Sequence, residues 1–241
     1  MKKFKIFTFN GRVFLQNFII VCVLVATSVM SAFCINLLPV SKIHNDVYYS
    51  GNENTNKVTL MINVYWGTEY IDEMLKILEK YNVKTTFFVG VTWAVKESDK
   101  LQKIVDAGHE LANHGYGHKD HSKLSEDKQK EEILNTHKIV KELTGVEMNL
   151  FAPPSGAYNQ TTTKVVAELG YKAIMWTRDT IDWRDHDQNK IYNRAIKNCK
   201  GGDFVLMHPT EDTKNALENI IVTLQSQGFC LCSVSENLGQ K

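Results

Sequence analysis

The sequence has little proline and almost no net charge. Four of its 241 residues are Pro, and 28 Lys and Arg stand against 27 Asp and Glu. Hydrophobic residues make up 43% and charged residues 23% of the chain, which is typical of a globular protein and excludes a disordered, collagen-like or coiled-coil chain. A formal net charge of +1 argues against a nucleic-acid-binding protein, because such proteins carry a clustered basic face.

Charge is absent from one long stretch near the start of the chain. Residues 1–12 contain four basic side chains and no acid, and residues 13–40 contain no charged side chain. The apolar part of this stretch is about 21 residues long, enough for one helix across a bilayer. We therefore predict a basic cytoplasmic tail (1–12) and an uncleaved signal-anchor or transmembrane segment (13–40), which leaves the remaining chain extracytoplasmic. Secretion after signal cleavage is the alternative.

Cysteine is also scarce. Of five in the chain, only Cys199, Cys230 and Cys232 fall beyond the N-terminal segment, and none has metal-site spacing. A bridge from Cys199 to either of the other two is one possibility in an oxidising compartment, and three buried thiols are the other. Under both interpretations their role is structural.

The remaining chain alternates short apolar runs with amphipathic stretches. Residues 41–56 are polar and are predicted to be a linker before a domain at 57–241. Predicted strands lie at 58–66, 85–90, 149–154, 173–179, 203–209 and 229–236, and predicted helices at 70–82, 97–107, 125–143, 160–169, 188–198 and 213–226. This alternation indicates a parallel sheet or barrel, although the domain is short for a complete eight-fold barrel of about 250 residues.

Polar or turn-forming clusters follow five of the apolar runs. In folds of this kind the chemistry gathers at the carboxyl ends of the strands. The clusters are Asn63 with Tyr65-Trp66-Gly67, His114 with His118, Ala152-Pro153-Pro154, Asp179 with Asp182-Trp183, and His208-Pro209.

His114 and His118 form the sharpest of these clusters. Two imidazoles four residues apart can face the same way and chelate one divalent ion. The glycines between them allow the segment to be a loop as well as a helix. With eight His in the chain, an accidental spacing is the alternative.

His208 ends a nearly continuous apolar run, so it is a candidate for proton transfer near neutral pH. A histidine that only caps the core by bonding to backbone is the alternative. Asp179 or Asp182 would orient His208 through a charge-assisted hydrogen bond, unless both are solvated turn acids.

In this order the clusters resemble the polysaccharide deacetylase family, that is, the NodB-homology domain of carbohydrate esterase family 4. The matching segments are VTLMINVYWG (58–67), GHELANHGYGHKDHSKLS (108–125), LFAPPSGAYN (150–159), WTRDTIDW (176–183) and VLMHP (205–209). The turn Trp66-Gly67-Thr68-Glu69 is similar to that of the sporulation-associated branch of the family.

The resemblance implies a distorted (β/α) barrel that removes acetyl groups from N-acetylated sugars with a divalent metal, commonly zinc. It implies that His114 and His118 bind the metal and that His208 is the general acid. It further implies that Asp182 steadies His208. The implied substrate-binding residues are Trp66, Tyr158 and Trp183.

The resemblance fails at three positions. Asn63 stands where the family has its base, Val64 where it has a metal carboxylate, and Ala152 where it has an Arg. An Asn amide does not take up a proton, so Asn63 cannot act as that base. One interpretation is a hydrolase with a rebuilt site, in which Asn63 contributes its carbonyl oxygen and Glu69 or Asp120 supplies the lost carboxylate. The alternative for each of these two acids, which we favour, is a solvated position on the surface. The other is a catalytically degenerate, membrane-tethered domain that binds glycan.

The partners follow from the resemblance and the N-terminal segment. An anchored, outward-facing domain of this kind would meet N-acetylated cell-wall glycan, either peptidoglycan or a chitin-like polymer. The membrane is the second expected partner, and no nucleic acid is expected.

Overall fold

The computed structural model describes residues 11–12, 15–16, 18, 20–25, 27 and 47–239. The chain divides into two units, residues 1–42 and residues 43–241. The predicted tail and charge-free segment lie mostly outside the described residues. Those that are described are helical, and their large apolar side chains are exposed. No helix within the described ranges is both long enough and apolar enough to cross a bilayer.

Strands and helices alternate through the second unit, as expected from the sequence. The strands are β1 (Val47–Tyr48), β2 (Lys57–Val64), β3 (Thr86–Val89), β4 (Glu110–Asn113), β5 (Leu150–Phe151), β6 (Lys172–Ile174), β7 (Arg178–Asp179), β8 (Phe204–Met207) and β9 (Cys230–Leu231). The helices are α1 (Thr68–Lys80), α2 (Val91–Lys96), α3 (Ser98–Asp106), α4 (Glu126–Thr144), α5 (Gln160–Glu168), α6 (Asp182–Asp185), α7 (Gln188–Ile196), α8 (Glu211–Ser226) and α9 (Val234–Asn237).

Within residues 47–239 the strands form one sheet in the order β1-β6-β5-β4-β3-β2-β8-β7, and β9 also pairs with β2. Every one of these strand pairs is parallel. Only four Cα steps separate the end of β6 from the start of β7, so these strands, from opposite ends of the order, lie at most about 15 Å apart. The sheet is therefore curled, which confirms the predicted distorted (β/α) architecture.

Two sequence predictions are corrected by the strand pairing. Residues 173–179 are not one strand, because β6 pairs with β5 and β1 whereas β7 pairs with β8. Residues 47–56 are not a linker. Val47 and Tyr48 pair with β6, and the N–H of Gly51 donates to the carbonyl of Gly202 at 2.8 Å.

Alternate residues of each strand face two different apolar clusters, as the period of a strand requires. The larger cluster lies between the sheet and the helices, and from β2 it contains Val58, Leu60, Ile62 and Val64. The smaller cluster lies within the curl and contains Met61, Phe88, Ala112, Leu150, Ile174, Phe204 and Leu206. This alternation decides which side chains at the end of β2 can reach the site.

The three cysteines beyond the N-terminal segment are free thiols. Burial raises the pKa of Cys232 to about 12, and that of Cys199 likewise to about 12. The interpretation of three buried thiols holds only for Cys232, because Cys199 is half-buried and Cys230 is exposed.

Candidate active site

A cavity of about 410 Å³ opens at the carboxyl ends of the strands. Its lining residues are Asn63, Tyr65, Trp66, His114, His118, Ser155, Trp176, Asp179, Trp183, Leu206 and His208. Two of the residues predicted for the site are absent from this lining. Asp182 is buried behind His208, and the hydroxyl of Tyr158 lies 2.6 Å from that of Tyr49.

His114 and His118 come together at one side of the cavity, with ring centroids 5.2 Å apart. The Nδ1 of His114 lies 2.8 Å from the carbonyl oxygen of Ala152. A carbonyl only accepts, so Nδ1 carries the proton and Nε2 keeps its lone pair. Burial lowers the pKa of His114 to about 3, and burial also lowers the pKa of His118. Both imidazoles are therefore neutral at physiological pH.

The loop that carries His118 is held by Glu132 of α4. One carboxylate oxygen of Glu132 accepts from the backbone N–H groups of Tyr116 (2.9 Å) and Gly117 (2.8 Å). Its other oxygen forms an ion pair with Lys119 at 2.8 Å. Sequence reasoning missed Glu132. The available signal was an acidic residue on the helix face that also presents Ile133 and Thr136 to the core.

The end of β2 does not provide a third metal ligand. Val64, which the resemblance aligns with the metal carboxylate, is fully buried in the cluster beneath the helices. Asn63 and Tyr65 point to the opposite side and line the cavity, and the Tyr65 ring lies 4.7 Å from that of His118. A carboxylate at position 64 would therefore face the core and not the two histidines.

The described residues do not fit a catalytic zinc site, which normally has three protein ligands. No group of three or more His, Cys, Asp or Glu side chains suited to a metal occurs in the described part of the chain. The two carboxylates suggested as replacements do not line the cavity. Glu69 lies in the first turn of α1, and Asp120 accepts from the N–H of Ser122 and pairs with Lys123. Of the two alternatives for these acids, replacement of the lost ligand is therefore wrong.

His208 is fixed from behind by Asp182. One carboxylate oxygen lies 2.7 Å from His208 Nδ1, and the other accepts from the backbone N–H of His208 at 2.6 Å. That second oxygen also accepts from the hydroxyl of Thr213 at 2.6 Å. The Trp66 ring stacks on His208, with centroids 5.7 Å apart and 11° between the planes. Of the two acids considered from the sequence, Asp182 is thus the one that orients His208.

The position of Trp66 depends on the next residue being glycine. Gly67 has a φ of 80°, which favours glycine, and a Cβ there would lie 1.9 Å from the carbonyl oxygen of Pro209. This close approach joins the turn after β2 to the turn after β8. Trp66 and His208 are thereby held side by side.

Asp179, the other acid of that turn, faces the cavity. It is half-buried, and its Oδ1 accepts from the backbone N–H of Ile181 at 2.8 Å. Burial raises the pKa of its carboxyl, and the neighbouring His208 and Arg194 only partly oppose that effect. Ile181 has a φ of 53°, a strained value for a β-branched residue. The turn therefore stores backbone strain while presenting Asp179 on one side and Asp182 on the other.

Besides Val64, two residues depart from the pattern of the family's catalytic site. Asn63 is 4% exposed, and its Oδ1 has no hydrogen-bond partner in the described part of the chain. Ala152, which replaces an Arg, is completely buried. Among the described lining residues, Asp179 is the single carboxylate, and none is Lys or Arg.

Comparison with known proteins identifies relatives of this chain. The family described as Polysaccharide deacetylase matches residues 50–174. The uncharacterized protein YlxY of Bacillus subtilis is 37% identical over 188 residues, which are 78% of this chain and 59% of that protein. The chain thus spans less than two thirds of that relative. The peptidoglycan-N-acetylmuramic acid deacetylase PdaA of Bacillus subtilis is 27% identical over 81% of this chain and 76% of that protein.

A solved structure is also similar to the chain. It is a CE4 family pseudoenzyme from Bacillus anthracis, with a TM-score of 0.79 and 36% sequence identity. The match covers 80% of this chain and 69% of that one.

Proposed function

Because the chain belongs to the polysaccharide deacetylase family, we propose that its cavity binds N-acetylated cell-wall glycan. The relatives named as deacetylases are hydrolases acting on carbon–nitrogen bonds. The observation that carries this proposal is the cavity at the strand ends, rimmed by the exposed rings of Trp66 and Trp183. A largely preformed cleft with aromatic walls and a few polar groups is typical of ligand sites. Relatives named as peptidoglycan deacetylases support cell-wall glycan as the ligand.

Hydrolysis is the second candidate function, and the intact His208–Asp182 pair favours it. Amide cleavage requires a proton for the leaving amine, and His208 lies at the cavity, where its other ring nitrogen can donate a proton when the ring is doubly protonated. The family's base is missing, because Asn63 cannot accept a proton. The Arg that would partner that base is also missing, since residue 152 is Ala. Deacetylases of this family generally depend on a metal, and the described residues do not supply a complete set of ligands for one. We therefore propose glycan binding as the primary function.

The test separates binding from turnover in one preparation. Purified full-length protein is incubated with insoluble peptidoglycan, and the retained protein and the released acetate are both measured. We expect the wild type to be retained on the peptidoglycan and to release no acetate. We expect acetate release only from a variant that combines Asn63→Asp and Ala152→Arg with a restored third metal ligand. Acetate released by the wild type would make hydrolysis the primary function. Loss of both signals would overturn the proposal.

We also propose that the N-terminal segment anchors the chain in the membrane with the domain outside. The support is the charge-free stretch at 13–40 behind a basic tail. Digestion of intact cells with an external protease is the test. A full-length membrane protein degraded from outside is expected. A shortened protein in the medium would indicate cleavage and secretion, and protection inside the cell would contradict both.

A further inference from the structure

Asp179 is a half-buried carboxylate without a cationic partner in the cavity. No ion pair of the described residues includes it, and the three arginines nearby are engaged elsewhere. Arg184 and Arg194 both pair with Asp185. Arg178 donates to backbone carbonyls at the end of α7, including those of Arg194 and Ala195.

The other polar groups of the cavity do not neutralise Asp179. The Nδ1 of His114 lies 2.8 Å from the carbonyl oxygen of Ala152, and the ring of His118 packs against that of Tyr65, so neither forms an ion pair with Asp179. His208 is paired with Asp182, whose carboxylate balances the charge of a protonated imidazole. In the family, an Arg and a metal bring positive charge to this site. Here Ala152 stands at the position of the Arg, and the described residues form an incomplete set of metal ligands. Among the described lining residues Asp179 is therefore the single carboxylate, and no ion pair of the described residues neutralises it.

The walls around Asp179 are aromatic. Trp66, Trp176 and Trp183 line the same cavity, and the face of an indole ring attracts cations. A carboxylate among aromatic faces is suited to an organic ammonium group, which can hydrogen-bond to the carboxylate while its carbon skeleton packs on the rings. An acetamido group, in contrast, is uncharged and would leave Asp179 unpaired.

We propose that this cavity takes the ammonium group of a de-N-acetylated amino sugar, with Asp179 as its counter-ion and the three tryptophans as its walls. The inference rests on the proposed glycan-binding function and names the state of the sugar that is preferred. Deacetylation converts a neutral acetamide into an amine that is protonated near neutral pH. The ligand would thus be supplied by an N-deacetylation reaction on the same polymer, and this chain would recognise the product.

The test compares two soluble oligomers by titration calorimetry with the full-length protein, at a pH of about 6.5 where the sugar amine is protonated and a carboxyl is ionised. The probes are β-1,4-linked tetramers of glucosamine and of N-acetylglucosamine. We expect the glucosamine tetramer to bind about tenfold more tightly, since a hydrogen bond to a charged group contributes at least that factor.

Asp179→Asn should remove this preference, so that the ratio of the two affinities falls from about ten to about one. Asp187→Asn is the matched control, because an Asn retains the helix-capping role of Asp187 at the start of α7 and removes the same charge outside the cavity. The wild-type comparison needs no variant and stands if Asp179→Asn fails to fold.

The outcomes are distinct. Equal or tighter binding of the N-acetylated tetramer would overturn this inference and leave the proposed function intact. A preference that survives Asp179→Asn in a folded variant would also overturn it, because the charge would then come from elsewhere. Binding of neither tetramer would overturn the proposed function together with the inference.

Discussion

Asp182 binds His208 through both of its carboxylate oxygens, one on the ring and one on the backbone N–H. The ring contact sets the tautomer, so that the nitrogen facing the cavity is the one not used by Asp182. The backbone contact fixes where β8 ends. A single buried side chain thereby determines both the orientation and the position of His208.

Asp182→Asn should lower stability by about 3 kcal/mol, because an amide cannot accept all three hydrogen bonds and leaves buried donors unpaired. For a domain of this size the midpoint of thermal unfolding should fall by roughly 6–12 °C. Differential scanning calorimetry of the full-length variant measures it. Asp127→Asn, an exposed aspartate in the first turn of α4, is the control and should change stability by less than about 0.5 kcal/mol. A midpoint equal to that of the control would show that the three contacts do not stabilise the fold.

Tyr65→Asp should create a metal site, whereas Val64→Asp should not. Position 65 faces His118 across the cavity, so a carboxylate there would join two neutral imidazoles as a third ligand. Position 64 faces the core, and an ionised carboxylate there should destabilise the protein by on the order of 3–5 kcal/mol.

Zinc content after gel filtration is the measurement for these two variants. We expect about one equivalent in Tyr65→Asp and its loss when His114→Ala is added. A full equivalent already bound by the wild type would show that the chain supplies a third ligand by another route.

Acid should destabilise the domain partly through buried histidines. Burial lowers the pKa of His121 to about 4 and that of His109 to about 4. Between pH 6.5 and pH 4 the unfolded chain binds these protons and the folded chain does not, so stability is complete above about pH 6.5 and falls as the pH decreases. Each histidine contributes a slope of about 1.4 kcal/mol per pH unit in that range.

His121→Phe should remove one of these slopes, because the ring already packs against Phe151 and its replacement cannot be protonated. Urea unfolding at several pH values measures the slope. Comparison at about pH 8, where neither histidine is protonated in either state, isolates the packing cost of the larger ring. An unchanged slope below pH 6 would contradict the assignment.

Trp183→Ala should weaken glycan binding about tenfold without lowering stability. The ring is 50% exposed at the rim of the cavity, so its loss removes contact area for a sugar and little of the core. Retention on insoluble peptidoglycan measures the effect. Leu134→Ala, at an exposed apolar position on α4, is the control. Equal retention of both variants would exclude Trp183 from the binding surface.

The strands and helices were largely predictable, because their apolar periods are regular and their ends carry local signals. Helix α5, for example, begins at a capping box formed by Asn159 and Thr162. β1 was missed since two residues carry no periodicity. The sequence does not predict the division of 173–179 into β6 and β7, because both parts are apolar or β-forming. The two strands pair with different neighbours only because the sheet is curled.

The sequence predicts which types of residue form the candidate site. It was not read correctly for the direction of every side chain. The alternation along β2 already places Val64 with Ile62 on the core side and Asn63 with Tyr65 on the other. The resemblance to the family pairs residues by their order along the chain and not by the face of the strand. It therefore does not show that Val64 points to the core. The assignment of Asp179 to the cavity depends on the turn at Ile181, whose backbone conformation is disfavoured for that residue and gives no sequence signal.

The carbonyl of Ala152 accepts from His114, so the histidine is oriented by main chain and not by the side chain at position 152. Side chains are exchanged by single substitutions, whereas a strand-end carbonyl persists as long as the fold does. A lineage of this fold can therefore lose the base, the arginine and a ligand while the histidine geometry is inherited unchanged. Substitutions that supply the missing side chains therefore do not have to rebuild the position of His114.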